Sequence, residues 1–390
     1  MHPYLRLLAL ALLAAASPAA AGFDDCIASM RGGALARGVS AATYDRETQG
    51  LQSNPEVLGF LDKQPEFRTP IWDYLAGLVD DERIADGRAK MREYQNALSV
   101  AQARFGVDAA TIAAVWGVES DYGKTQGFRS VVRSLATLSC AGRRQDYFRT
   151  EFYSALTILE RGDVDPQHFT GSWAGAFGQT QFMPSTFLRY AVDLEGHGRR
   201  DVVDSVPDAL GSTANFLRKG GWVTGQPWGF EVRLPDGYSG PSGRGARQSM
   251  ASWAARGVTR VDGGELGAGM AGLLLPAGRN GPAFLVTHNF EVIFGYNAAE
   301  SYALAIALLS DRLRGGGPIA TAWPTRDRGL SRVERREMQG LLAQRGYAIG
   351  NQDGVLGAKT RAAIADFQGR AGLAADGAAT GAVLEALRRP

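Results

Sequence analysis

Two cysteines and four histidines are all that 390 residues supply of the side chains that most often bind transition metals. His2, His168, His197 and His288 show no ligand spacing, so a zinc centre has no support. An excess of either charge is also missing. With 42 Lys and Arg against 40 Asp and Glu, the chain lacks the basic balance that drives nucleic-acid binding. Beyond residue 16 no apolar run approaches the roughly 20 residues a spanning helix needs. The run Leu304-Ala305-Ile306-Ala307-Leu308-Leu309 is short enough to be ordinary core. What is present is a globular composition, 45% hydrophobic and 21% charged, with 50 glycines that signal many tight turns. The length suits one large domain and one small one.

The N-terminus reads as a cleaved signal peptide over residues 1–21. Residues 1–6 carry one positive charge, residues 7–16 are an apolar stretch of Leu and Ala, and Ser17-Pro18-Ala19-Ala20-Ala21-Gly22 is a small-residue cleavage box. A lipid anchor would need a cysteine directly after that box, whereas Cys26 follows Phe23-Asp24-Asp25. The expected product is therefore exported to the periplasm without a membrane anchor. In that oxidising compartment Cys26 and Cys140 are candidates for one long-range disulfide, the alternative being two buried thiols.

The fold class expected is mainly α (α+β). Helical periodicity recurs around Trp72-Asp73-Tyr74-Leu75 and over residues 91–105, 148–159, 209–217 and 302–313. Between residues 230 and 287 the texture changes to short β-branched runs separated by Gly and Pro, which predicts a small sheet inserted late in a helical domain. Residues 314–329, opening on Gly315-Gly316-Gly317-Pro318, have the composition of a linker. Residues 330–390 then predict a three-helix module with Asp-Gly turns at Asp353-Gly354 and Asp376-Gly377. A linker implies independence, so removing the module is expected to leave the large domain's own activity largely intact.

The residue that stands out is Glu119. Asp108 is a good N-cap, and Ile112, Val115, Trp116 and Glu119 then fall on one helical face, which puts a carboxylate on an apolar stripe. Burial of a lone carboxyl favours its protonated form, the state a general acid must hold. The plainer alternative is that Glu119 merely ends its helix near solvent, with Gly123 as the stop. Asp121 lies on a different face and is no partner across a scissile bond. A second unusual run, Gly171-Ser172-Trp173-Ala174-Gly175-Ala176-Phe177-Gly178-Gln179-Thr180-Gln181-Phe182-Met183-Pro184-Ser185, mixes glycines, polar groups and flat aromatic faces, as a sugar ring requires. A close helix contact stitched by small residues would read the same way.

Val115-Trp116-Gly117-Val118-Glu119-Ser120-Asp121-Tyr122-Gly123, with the 171–176 and 181–185 runs, resembles the type-B lytic murein transglycosylases. The resemblance covers residues 23–313 and takes in Gln64-Pro65-Glu66-Phe67, Trp72-Asp73-Tyr74, Arg143-Arg144, Ala209-Leu210-Gly211-Ser212-Thr213-Ala214-Asn215 and Tyr296-Asn297. The 330–390 module is similar to a small peptidoglycan-binding domain, on Gln339 to Leu342, Asp353-Gly354 and Thr360 to Gln368. The resemblance implies a lysozyme-like fold and cleavage of peptidoglycan glycan strands. Glu119 would act first as acid and then as base, closing a 1,6-anhydromuramic ring. Held intramolecular nucleophiles reach effective molarities on the order of 10⁵ M or more, which makes a single carboxylate sufficient.

By the same resemblance Ser172, Gln181, Tyr296, Asn297, Tyr122 and Trp173 would meet the glycan, and Arg143 and Arg144 the carboxylates of the stem peptide. For the arginines a solvated face is the alternative. Asp193, Glu195 and Asp201 align with a calcium loop of some relatives, but His197 stands at a ligand position and is a poor calcium donor. No cofactor is expected, calcium being the one candidate. The protein is expected to act as a monomer on peptidoglycan. A hydrolytic muramidase and a non-catalytic wall-binding protein are the competing readings.

Overall fold

The computed structural model describes residues 18–61 and 69–389, with side chains from Gly22 onward. The expected signal peptide and the Gln64-Pro65-Glu66-Phe67 motif therefore fall outside the described residues, apart from the last backbone of the former. The architecture of the described residues is helical with the expected inserted sheet, and a second, two-stranded one pairs Arg129–Ser130 with Thr170–Gly171.

Two apolar cores organise the large domain. One is built from Met30, Tyr44, Leu135, Phe152, Phe177 and Phe182, on helices that include Val131–Cys140 and Gln145–Arg161. The other gathers Ile84, Leu98, Ile112, Trp116, Leu217, Phe290 and Ile306, on helices Asp81–Glu93, Gln95–Phe105, Ala109–Ser120, Val206–Lys219, His288–Phe294 and Glu300–Leu313. Phe216 and Tyr296 pack against both. Cys26 and Cys140 are joined in a disulfide across 114 residues of sequence. Closing so long a loop restricts the unfolded chain by about 4 to 5 kcal/mol on the chain-entropy account.

The inserted sheet is antiparallel throughout, with spatial order Gly243–Ser249, Met270–Leu274, Ala283–Val286, Gly229–Arg233 and Thr259–Arg260. One face covers its own small core of Val232, Trp253, Leu273 and Leu285. Two sequence expectations need correcting. The 91–105 segment is two helices, because the chain turns at Tyr94, whose ring then lies edge-on to Trp116 at 5.5 Å. The helix bearing Glu119 stops at Ser120, three residues before Gly123.

Residues 314–329 contain no helix or strand, yet they do not run free. The amides of Ala320 and Thr321 donate to the Glu231 carboxylate at 2.7 and 2.8 Å, and Ile319 and Trp323 pack on the larger core. The C-terminal module follows as helices Arg332–Gln344, Ala358–Arg370 and Gly381–Arg388 around Met338, Leu342, Ile364 and Leu384. It contains a repeated device. Gln339 accepts from the Gly354 amide at 2.7 Å, and Gln368 accepts from the Gly377 amide at 2.8 Å, so each Asp-Gly turn is clamped by a glutamine from a helix.

Candidate active site

Helix Ala109–Ser120 starts where the Asp108 carboxylate accepts from the Thr111 amide at 3.0 Å. Every residue from Ala110 to Gly117 is buried, so this helix is enclosed on all sides and not merely on one stripe. Only its last turn emerges, and Glu119 is partly exposed there. After Ser120 the backbone turns left-handed at Asp121, Tyr122 and Gly123, with φ of 52°, 58° and 86°. Two of those three are not glycine, a conformation that costs about 1 kcal/mol or more per residue unless packing holds it.

Several groups hold that turn. The Ser120 hydroxyl donates to the Gln179 carbonyl and accepts from the Gly123 amide. The Gln179 side chain is itself buried, accepting from the Trp116 indole N–H and donating to the Val203 carbonyl, each at 3.0 Å. The glycine-rich run is thereby tied directly to the helix of Glu119. Within that run Gln181, at φ 50°, donates to the carbonyls of Gln126 and Gly178 at 2.9 and 2.8 Å. The Ser172 hydroxyl accepts from the amides of Ala174 and Ala176 and so shapes the loop from within.

The Tyr302 hydroxyl donates to Oε1 of Glu119. Tyr296 stacks on Tyr302 with ring centroids 6.3 Å apart, and its own hydroxyl donates to the Thr180 carbonyl at 2.8 Å. Burial, and then the negative charge of Glu119, push both phenols well above their ordinary value, so each stays a proton donor at neutral pH. Carboxylate, phenol pair and the Thr180-Gln181 corner thus form one constellation. Tyr302 escaped the sequence reading because a tyrosine opening an Ala-Leu helix looks like core. Gln179 was passed over for the same reason, as one polar residue in a flexible-looking run.

The other expected site residues are distributed less tightly. Asn297 is exposed beside Tyr296, and Trp173 is partly buried with its ring 6.1 Å from Phe60. Arg143 donates to the Leu61 carbonyl, and the Arg144 guanidinium lies 4.4 Å from the centroid of Tyr147. Tyr122 requires correction. It is 4% exposed, edge-on to Trp116, and fills the space above Gly87 and Gly117, so it is core and not a sugar contact.

The carboxylates of the acidic stretch after residue 192 are bonded within the protein. The Asp193 carboxylate is turned onto the backbone amides of Gly196, His197 and Gly198 at 2.7 to 2.9 Å. Asp201 accepts from the amides of Val203 and Asp204 and has the Arg199 guanidinium at 3.2 Å. Among the described residues no group of three or more His, Cys, Asp or Glu is arranged to hold a metal. Among the described residues, cavities of about 770 and 940 Å³ beside Trp222 and Trp323, and a smaller one of about 220 Å³ beside His197, are not lined by Glu119.

The model of the transglycosylase SLT domain matches residues 22–311, and that of a peptidoglycan binding domain matches residues 331–387. The chain belongs to the transglycosylase SLT family. It is 32% identical over 241 residues to membrane-bound lytic murein transglycosylase B of Escherichia coli (strain K12). That match spans 60% of this chain and 64% of that relative's length, just under two thirds. Among solved structures it resembles SltB3 from Pseudomonas aeruginosa in complex with NAG-anhNAM-pentapeptide, at 47% identity and a TM-score of 0.76. That superposition covers 94% of this chain and 99% of SltB3. It also resembles the Escherichia coli lytic transglycosylase Slt35 in complex with calcium, at 28% identity and a TM-score of 0.66, over 76% of this chain and 93% of that one. The lysozyme-like fold class follows from these neighbours.

Proposed function

We propose that the protein is an exported lytic transglycosylase. It cleaves the β-1,4 bond between N-acetylmuramic acid and N-acetylglucosamine in peptidoglycan and leaves a 1,6-anhydromuramic end. The observation that carries this reading is Glu119 at the mouth of a buried helix, bonded to the Tyr302 hydroxyl beside the loop of Gln179 and Gln181. Glu119 donates its proton to the glycosidic oxygen as the bond breaks. The resulting carboxylate is stabilised by Tyr302 and draws a proton from the muramic acid C6 hydroxyl as that oxygen attacks C1. Asp121 cannot supply a second carboxylate to activate water, because Arg332 and Arg83 engage it. Two family matches, to a transglycosylase domain and to a peptidoglycan binding domain, support wall glycan as substrate. Export to the periplasm rests on the first 21 residues of sequence together with these envelope-acting relatives. Among the described residues no helix is long and apolar enough to cross a membrane.

Mass spectrometry of fragments released from purified peptidoglycan tests the proposal, with Glu119→Gln as the control. Muropeptides lighter by one water, absent with Glu119→Gln, are expected. Full-mass reducing ends would identify a hydrolase instead, and an absence of products would leave a wall-binding protein.

A further inference from the structure

The C-terminal module is not tethered loosely to the large domain. Its first helix inserts Arg332 into a buried acidic cluster. The Arg332 side chain, 9% exposed, lies 3.2 Å from Asp80, 3.3 Å from Asp86 and 2.5 Å from Asp121. Asp80 and Asp121 are themselves 4% and 16% exposed. Around this centre Arg336 pairs with Glu82 and Lys124 with Asp86, each at 2.7 Å. Arg335 extends the contact by donating to the Asp73 carbonyl and lying against Gly77.

The acids joined by Arg332 have structural duties of their own. Asp80 caps helix Asp81–Glu93 by accepting from the Arg83 amide, and Arg83 in turn donates to the Gly117 carbonyl in the last turn of the Glu119 helix. Asp121 is the left-handed C-cap of that same helix, two residues from Glu119. The left-handed run at residues 121–123 is therefore gripped on one side by Ser120 and Gln179, within the large domain. On the other side it is gripped by Arg332, from the module. A guanidinium bonded to both Asp80 and Asp121 fixes the distance between two helix ends in a way that a point charge on a flexible stem does not.

We propose that Arg332 is a positioning residue for Glu119, so that the C-terminal module supports catalysis as well as wall binding. This rests on the transglycosylase reading of the site. It also reverses the expectation from linker composition that the large domain's activity would be largely intact without the module. Without Arg332, Asp121 and Asp80 retain only Arg83 as a buried cation, and water enters the cluster. The turn after Glu119 then samples right-handed conformations, and the carboxyl leaves its place against Tyr302. Small displacements of a catalytic group lower rates by up to about a hundredfold.

The test uses the full-length protein with Arg332→Ala, Arg332→Lys and Asp121→Asn, and Arg370→Ala as a control on the module's exposed face, where Arg370 pairs with Asp366 and lies over the Tyr347 ring. Turnover is measured on soluble glycan fragments, pelleting on insoluble sacculi, and amide hydrogen exchange at residues 119–123. Arg332→Ala is expected to lower kcat about tenfold with KM within about twofold, to leave pelleting at the parent level, and to speed exchange at residues 121–123. Asp121→Asn is expected to show the same kcat loss, the double variant no further loss, Arg332→Lys a partial recovery, and Arg370→Ala the parent rate. Folded Arg332→Ala with parent kcat would overturn the proposal, even if exchange is faster. So would losses from Arg332→Ala and Asp121→Asn that simply add. A parent protein that releases no anhydro products would count against the functional reading alone, since exchange reports on the turn without any activity.

Discussion

Two glycine-rich loops look alike in the sequence and are opposites in the structure. Residues 171–182 are nearly all buried or half-buried, and the run closes on itself through bridges from Phe177 to Gly171 and to Phe182. Residues 195–199 are exposed, and their polar groups are satisfied chiefly within the loop by Asp193. In the first loop a glycine is needed because another backbone occupies the space a side chain would fill. A Cβ on Gly178 would sit 2.5 Å from the Val202 carbonyl, at a φ of 76°. In the second a glycine is needed only for its backbone angle, since a Cβ on Gly198 would meet nothing within 4 Å. Glycine frequency alone cannot separate a loop that fixes a catalytic helix from one that merely turns the chain.

The comparison can be broken at its strongest point by Gly178→Ala. Left-handed strain and a backbone clash together predict a loss of about 2 to 4 kcal/mol in urea unfolding, and loss of most activity because Gln179 moves with its neighbour. Gly198→Ala carries only the strain, about 1 kcal/mol, and is expected to leave activity within twofold. Equal losses from the two would mean that the 171–182 loop is not interlocked with the Glu119 helix.

Gln179→Leu sharpens the comparison at a single side chain. It stays apolar and of similar bulk but leaves the Trp116 indole N–H and the Val203 carbonyl without their partner, while the Ser120 bond to the main chain of residue 179 survives. One buried donor and one buried acceptor left unsatisfied predict about 2 to 3 kcal/mol. Parent stability would show that water takes over both bonds and that the loop is held by main-chain contacts alone.

How much of this was legible beforehand follows from the kind of signal involved. Glu119 was legible because a carboxylate among Ile112, Val115 and Trp116 breaks the pattern of its own helix, and the motif around it matches a family. The module's helices and its Asp-Gly turns were legible from local periodicity and turn residues. Tyr302 was not, because a phenol's partner lies 183 residues away and nothing local marks it. Arg332 was hidden in a run of charged residues that reads as a solvated helix face, and the preceding glycines suggested slack chain. Tyr122 was misassigned because proximity in sequence to Glu119 says nothing about which way a left-handed turn sends the next side chain. Long-range polar pairing decides the first two cases and packing over Gly87 and Gly117 the third, and neither is written in any single segment.

The smallest effect expected concerns the second loop and acid. Burial opposes ionisation of Asp193, but the amides of Gly198, His197 and Gly196 outweigh it and hold the carboxyl below its ordinary value of 3.8. A carboxylate depressed in the folded state stabilises the fold above its unfolded value, and that contribution disappears as the pH falls through the lower folded value. The loop is therefore expected to stay closed from neutral pH down to about 4 and to open only below it. Asp193→Asn is expected to open it already at pH 7, seen as faster exchange at the amides of residues 196–198, with turnover within twofold of the parent. Because three backbone amides satisfy the carboxylate, millimolar calcium is expected to leave the parent's melting temperature unchanged. A rise that Asp193→Asn abolishes would show that calcium displaces the amides, and the second loop would then be a cation site.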